Sequence, residues 1–198
     1  MVQSKMIADK RCDWCHGNTR YLEYHDQEWG VPLVDSQRLF EFLVLEGAQA
    51  GLSWITILNK RENYRLAFDN FDPLKIASYD EKKTEKLLGN AGIVRNKLKV
   101  RSAINNAQRM LELEEAGTSF SEFLWRQVDG VPIQNNFKTM QEVPASTADS
   151  DLLSKRLKHA GFNFVGTTIC YAFMQATGMV NDHLVRCPRR AECSELSL

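Results

Sequence analysis

No run of about 18 apolar residues, the minimum for a helix that crosses a bilayer, occurs in this 198-residue chain. The opening stretch MVQSKMIADKRC carries basic residues but no apolar centre, so no secretory signal is expected there. Together these absences set the expectation of a cytoplasmic protein with no membrane partner. Net charge is also missing: 25 basic side chains balance 25 acidic ones, so bulk electrostatics favour no polyanion. The alternation of apolar and polar residues that marks half-buried strands is scarce. Cysteines number five, and an odd count disfavours a disulfide framework.

What remains is an ordinary globular composition, 43% hydrophobic and 25% charged, enough to build a sizeable core. The expectation is one domain over residues 1–198, with an ordered core at about 12–187 and flexible ends. Helical signals dominate. Asp35 or Ser36 can cap a helix with Leu39, Phe40, Leu43 and Ala50 on one face. Ser53 can cap a second, in which Trp54, Ile57, Leu58 and Arg61 share a face. Residues 84–90 read as a short helix, 91–93 as a turn, and 95–115 as a longer helix ended by Gly117. Further helices are expected from Ser119 to Trp125, from Asp149 or Ser150 to His159, and from about Gly166 to Thr177. The fold class is all-α.

Charge is unevenly distributed despite its balance. Arg95, Lys97, Lys99 and Arg101 form an acid-free run, and residues 155–159 and 186–190 are also basic. Glu112, Glu114 and Glu115 cluster elsewhere. Each patch is equally well explained as a solvated helix face.

Glu46 is out of place. It falls on the stripe of Leu39, Leu43 and Ala50, and a carboxylate facing a core needs a partner or a purpose. Gly47, Ala48, Ala50 and Gly51 strip bulk from its surroundings. Trp14, Tyr21, Tyr24, Trp29 and Trp54 are concentrated in the same part of the chain. Core packing is the ordinary role of any one of these rings. A carboxylate among several of them suits a flat, polar, cationic ligand, with rings on its faces and acceptors at its edge.

Cys12-Asp-Trp-Cys-His16 fits a haem-attachment signature, and Cys12 with Cys15 fits a redox pair. Haem attachment and stable disulfides belong to exported proteins, and no strand precedes Cys12 to suggest a thioredoxin-like setting. A third reading is a metal ligand. His183 and Cys187 are four residues apart and, if helical, project to one side. Cys12 and His25 can supply the other pair of a Cys2His2 tetrahedron that ties the two ends together. Cys15 or His16 can substitute in this set, and spacing alone does not choose.

Three blocks, Tyr21–Pro32, Leu45–Thr56 and Phe162–Cys170, continued by Asn181-Asp182-His183, resemble the 3-methyladenine DNA glycosylase I family. The resemblance runs from about Cys12 to about Cys187. It implies a helix-hairpin-helix glycosylase fold, with the hairpin near Leu88–Arg95. It implies a structural Zn2+ on Cys12, His25, His183 and Cys187, with Cys15 and His16 left out. Glu46, Tyr24, Trp29 and Trp54 map to base recognition, with Glu46 the reactive-site carboxylate and Trp14 and Tyr21 as pocket walls. Gln49, Gly51 and Leu52 map to a loop that enters the space left by an extruded base. Gly92, Arg95 and Lys97 map to backbone contacts with DNA. The implied partner is double-stranded DNA carrying an alkylated purine, the implied chemistry monofunctional hydrolysis without strand cleavage, and the expected form a monomer.

Overall fold

The computed structural model describes residues 10–196. Residues 1–9 and 197–198, which include part of both ends expected to be flexible, lie outside the described residues. The architecture is helical, as the sequence predicts. In chain order the α-helices are α1 (Thr19–Gln27), α2 (Ser36–Gln49), α3 (Trp54–Leu58), α4 (Arg61–Ala67), α5 (Pro73–Ala77) and α6 (Glu81–Gly89). They continue with α7 (Lys97–Glu115), α8 (Phe120–Trp125), α9 (Ala148–His159), α10 (Thr167–Ala176) and α11 (Pro188–Ser194). Two short parallel strands, β1 (Ile133–Gln134) and β2 (Val180–Asn181), pair Ile133 with Val180 and Gln134 with Asn181.

Helix α2 is the centre of the fold and packs against α3, α7, α8 and α10. Asp35 caps it, its side chain accepting from the Arg38 amide at 2.8 Å, an interaction worth about 1 kcal/mol. Every residue from Leu39 to Ala48 is buried, so α2 is surrounded on all sides and not only along one stripe. At its other end Lys99 reaches across from α7 and donates to the carbonyls of Ala48 and Ala50, both at 2.7 Å. That bond satisfies carbonyls orphaned at a helix C-terminus.

Several boundaries differ from the sequence reading for local reasons. The second predicted helix breaks at Asn59–Lys60, so Arg61 begins α4 instead of extending α3. Ser53 precedes α3 without capping its backbone and bonds the Thr56 hydroxyl instead, at 2.8 Å. Asp80 and Asn96 are the working caps of α6 and α7, moving the starts to Glu81 and Lys97. Thr147 and Ser150 form a reciprocal capping box at the start of α9. Residues 182–187 form a turn after β2, not a helix.

Candidate functional site

Between α1, the end of α2, the start of α3 and α10 lies a cavity of about 310 Å3. Trp14, Tyr21, Tyr24, Trp29, Glu46, Gln49 and Trp54 line it, together with Met140, Val143, Ala172, Gln175 and Asp182. All six residues read from the sequence as base-recognition or wall residues are therefore brought together. The rings brace one another. Trp14 meets Tyr21 and Trp29 edge-on, with centroids 5.5 and 5.1 Å apart. Tyr24 and Trp54 are 5.4 Å apart and tilted by 46°. The Tyr21 hydroxyl accepts from the Ile55 amide at 2.9 Å, which ties α1 to the start of α3.

Glu46 is 4% exposed, and its Oε2 has no hydrogen-bond partner. Glu41, one turn earlier on the same helix, is also buried but is bonded by Arg65 at 2.9 Å. Helix α2 thus holds one buried carboxylate neutralised by an arginine and one left free beside a cavity. Burial without a counter-charge pushes the Glu46 pKa up from 4.5 to about 8. Trp54 Nε1 is a second buried polar atom without a partner. An unpaired acceptor and an unpaired donor in one aromatic cavity are costly to keep unless something else satisfies them.

The small residues near Glu46 do not all open space. A Cβ on Gly47 would lie 3.3 Å from the Phe164 side chain, so Phe164 already occupies that room. Gly51, by contrast, is exposed, faces open space and has a φ of +79°, a conformation that favours glycine. Gln49 is the last residue of α2 and lines the cavity, while Leu52 is 41% exposed at the loop tip.

Cys12, His25, His183 and Cys187 converge behind the aromatic wall. Their ligand atoms all lie within 4.8 Å of one another, and all four residues are buried. Cys187 Sγ is 3.5 Å from His25 Nε2 and 3.6 Å from His183 Nδ1, and Cys12 Sγ is 3.7 Å from His183 Nδ1. Each imidazole uses its other nitrogen outside the group. His25 Nδ1 meets Asp26 at 2.8 Å, and His183 Nε2 donates to the Trp29 carbonyl at 3.0 Å. Such bonds fix the ring orientation and tautomer that a metal ligand needs. The hydrogen bond from Cys12, then those involving His183 and His25, pull the Cys187 thiol down toward thiolate. The Cys12 thiol is pushed up by the same bond and by burial. The turn at 182–187 therefore does the converging work that a helix was expected to do. Cys15 is outside the group and points its Sγ to the Cys12 carbonyl at 3.0 Å, and His16 is exposed.

The Cys2His2 group and the cavity share a wall. Trp29 packs edge-on against the His183 ring at 4.6 Å, and Trp14 against His25 at 5.5 Å. Gly30 adopts φ +79°, and a Cβ there would sit 3.0 Å from the His183 ring. The glycine after Trp29 is thus required both by its turn and by the closeness of the imidazole.

The turn between α6 and α7 holds Gly92, whose amide donates to the Asn90 side chain at 2.8 Å. Its neighbour Val94 donates to the Tyr64 hydroxyl at 3.1 Å. The basic run after it divides in two. Lys99 is committed to α2 and Arg101 to Glu81 at 3.3 Å, whereas Arg95 and Lys97 are exposed. The basic segment near the end is also used internally, with Arg186 paired to Asp13 and Arg189 to Glu192. Sequence reasoning assigned no pocket role to Met140, Val143, Ala172, Gln175 or Asp182. They come from distant segments that carry no local signature, although Asp182 adjoins the expected ligand His183.

Comparison with known proteins agrees with this arrangement. The family described as methyladenine glycosylase matches residues 14–190. DNA-3-methyladenine glycosylase 1 of Escherichia coli is 52% identical over 178 residues, covering 90% of this chain and 95% of the relative. A crystal structure of a 3-methyladenine DNA glycosylase I superposes with a TM-score of 0.88 at 53% identity, covering 90% of this chain and 98% of the other. A variant 3-methyladenine DNA glycosylase I crystallised in complex with 3-methyladenine gives a TM-score of 0.88 at 36% identity, covering 94% and 98%. No helix among the described residues is long and apolar enough to cross a membrane. This chain belongs to the methyladenine glycosylase family.

Proposed function

We propose that the chain is a DNA-repair N-glycosylase that extrudes 3-methyladenine from alkylated duplex DNA and hydrolyses its glycosidic bond, leaving an abasic site. The observation that carries this reading is the unpartnered Glu46 carboxyl in an aromatic cavity. The names of its relatives support the substrate. A base must leave the stack before such a cavity can hold it.

Methylation at N3 makes the adenine cationic, so its departure as a neutral base is already eased. The cavity then has to select and hold the ring. Tyr24 and Trp54, in contact with each other, present ring surface to one side of the base, with Trp29, Trp14 and Tyr21 completing the wall, an arrangement that attracts positive charge. Glu46 accepts hydrogen bonds at the polar edge. A cation against it favours release of the carboxyl proton, so binding turns Glu46 into the counter-charge. Water attacks the sugar as positive charge develops there. No lysine nucleophile is required, so the strand stays intact.

Gln49, Gly51 and Leu52 fill the gap in the duplex. Arg95 and Lys97, exposed at the start of α7 beside Gly92, contact the phosphate backbone as one side of a helix-hairpin-helix element. Cys12, His25, His183 and Cys187 would hold zinc, the ion that suits two thiolates and two imidazoles. Sulfur and nitrogen ligands at zinc distances are about 3.5 Å apart in a tetrahedron, close to the 3.5 to 3.7 Å separations found here. Bound by four protein ligands, zinc would supply structural cross-linking, with no open position for activated water. The working form is a single-domain cytoplasmic monomer.

The test is chromatography of bases released from alkylated duplex DNA, with strand integrity followed in parallel. Release of 3-methyladenine from unbroken strands is expected. Absence of free base, or strand breakage that accompanies its release, contradicts the reading.

A further inference from the structure

We propose that Gln175 is a specificity-determining residue of the cavity and that Asp182 is its positioning residue: with its amide nitrogen held by Asp182, Gln175 turns Oε1 toward the bound base and accepts from an exocyclic amino group. The inference rests on the proposed glycosylase function. It concerns which purine the cavity prefers, and neither residue was assigned a pocket role by the sequence.

Gln175 lies on α10 and lines the cavity opposite no partner of its own for Oε1 among the described residues. Its Nε2 donates to Asp182 Oδ2 at 2.8 Å. Asp182 is buried and accepts from two further donors, Tyr171 OH on Oδ2 at 2.5 Å and Asn135 Nδ2 on Oδ1 at 2.7 Å. Turning the Gln175 amide over would set its carbonyl oxygen against a carboxylate oxygen, two acceptors with no proton between them. The orientation is therefore dictated by the network. The main chain is fixed as well, because the Gln175 carbonyl accepts from the Gly30 amide at 3.1 Å.

This makes Gln175 different in kind from Glu46. A carboxyl that titrates can donate in one state and only accept in the other, so it does not by itself distinguish an amino group from a carbonyl. The Gln175 oxygen accepts in every state. An adenine offers an exocyclic amine as donor. A guanine offers a carbonyl at the equivalent ring position, leaving two oxygens facing each other without water. A site built to pair a polar group discriminates strongly when the pairing is lost.

Alkylated duplex DNA containing both 3-methyladenine and 3-methylguanine tests this, with each released base quantified from the same digest. The ratio of the two initial rates is internal to each sample and does not depend on the fraction of protein folded. The unmodified chain should prefer 3-methyladenine, and Gln175→Met should lower that preference about tenfold, the scale of one lost hydrogen bond to the bound base. Asp182→Asn can donate to Gln175 Oε1 and turn Nε2 inward, so it should lower the preference at least as far. In a Gln175→Met background, Asp182→Asn should not change the ratio further. An unchanged ratio in Gln175→Met overturns the specificity role. An equal effect of Asp182→Asn with and without Gln175 overturns the positioning role. If Asp182→Asn yields no folded protein, retention of function and ratio by Asp182→Glu, which keeps acceptors alone, is the expected outcome, and a lowered ratio contradicts it. Failure of the unmodified chain to release either base contradicts the glycosylase function itself, and this inference with it.

Discussion

The Cys2His2 group and the cavity stand back to back on Trp14 and Trp29, yet they treat buried polar atoms in opposite ways. Around the first, each imidazole has an outer partner and the Cys12 sulfur accepts from the Leu184 amide at 3.4 Å. In the second, Glu46 Oε2 and Trp54 Nε1 are buried with none. The same chain satisfies polar groups thoroughly in one place and leaves them open a few ångströms away. The first region is built for cohesion, joining segments more than 150 residues apart. The second leaves polar atoms unpaired at a cost to the folded state, which is what the proposed base-binding role requires.

The largest expected effect breaks the cohesive side. Cys12→Ser should abolish metal retention and destabilise the fold by on the order of 5 kcal/mol, since metal binding contributes directly to folding. Cys15→Ser should keep the metal and shift stability far less. Metal analysis and thermal melting of both variants check this, and equal metal loss would place the ligand set elsewhere.

On the open side, Glu46→Gln should slow 3-methyladenine release by roughly 10²–10³-fold, the scale of removing one electrostatic stabiliser from a reaction site. It should also alter stability in the opposite sense. The folded chain keeps the Glu46 proton to about 8, whereas an ordinary glutamate releases it near 4.5. Between those values the folded state holds more protons, so this group's contribution to stability falls as pH rises. Glu46→Gln removes that decline, and its melting temperature should exceed the unmodified chain's by a margin that grows up to about pH 8. Melting curves across pH check the sign; a margin that shrinks as pH rises contradicts it.

The smallest effect lies outside both regions. Arg95→Ala and Lys97→Ala should each reduce the salt dependence of DNA binding by about one unit of log–log slope. Lys99→Ala should instead lower thermal stability, because its ammonium is bonded to the end of α2.

Much of this was legible in the sequence because it is encoded locally. Asp35 before an apolar run marks the start of α2, and Gly117 the end of α7. Spacing offered Cys12, His25, His183 and Cys187 as one possible set, and resemblance to a known family chose that set and the six residues that the fold brings to the cavity. Helices α1, α4, α5 and α11 went unread because three of them are short and their stability comes from packing, not periodicity. The all-round burial of α2 was hidden since one helix's sequence does not reveal how many neighbours cover it. Gln175 and Asp182 stayed silent for a related reason. A glutamine on an apolar helix acquires meaning only when the chain folds a carboxylate against one end of its amide.

A 13C titration of the Glu46 side-chain carboxyl by NMR tests the central claim most directly. The midpoint should lie near 8 in the free protein, and the resonance should move when 3-methyladenine is added. A midpoint near 4.5, unaffected by the base, would mean that the carboxyl is already solvated or paired and that the cavity is not organised around it.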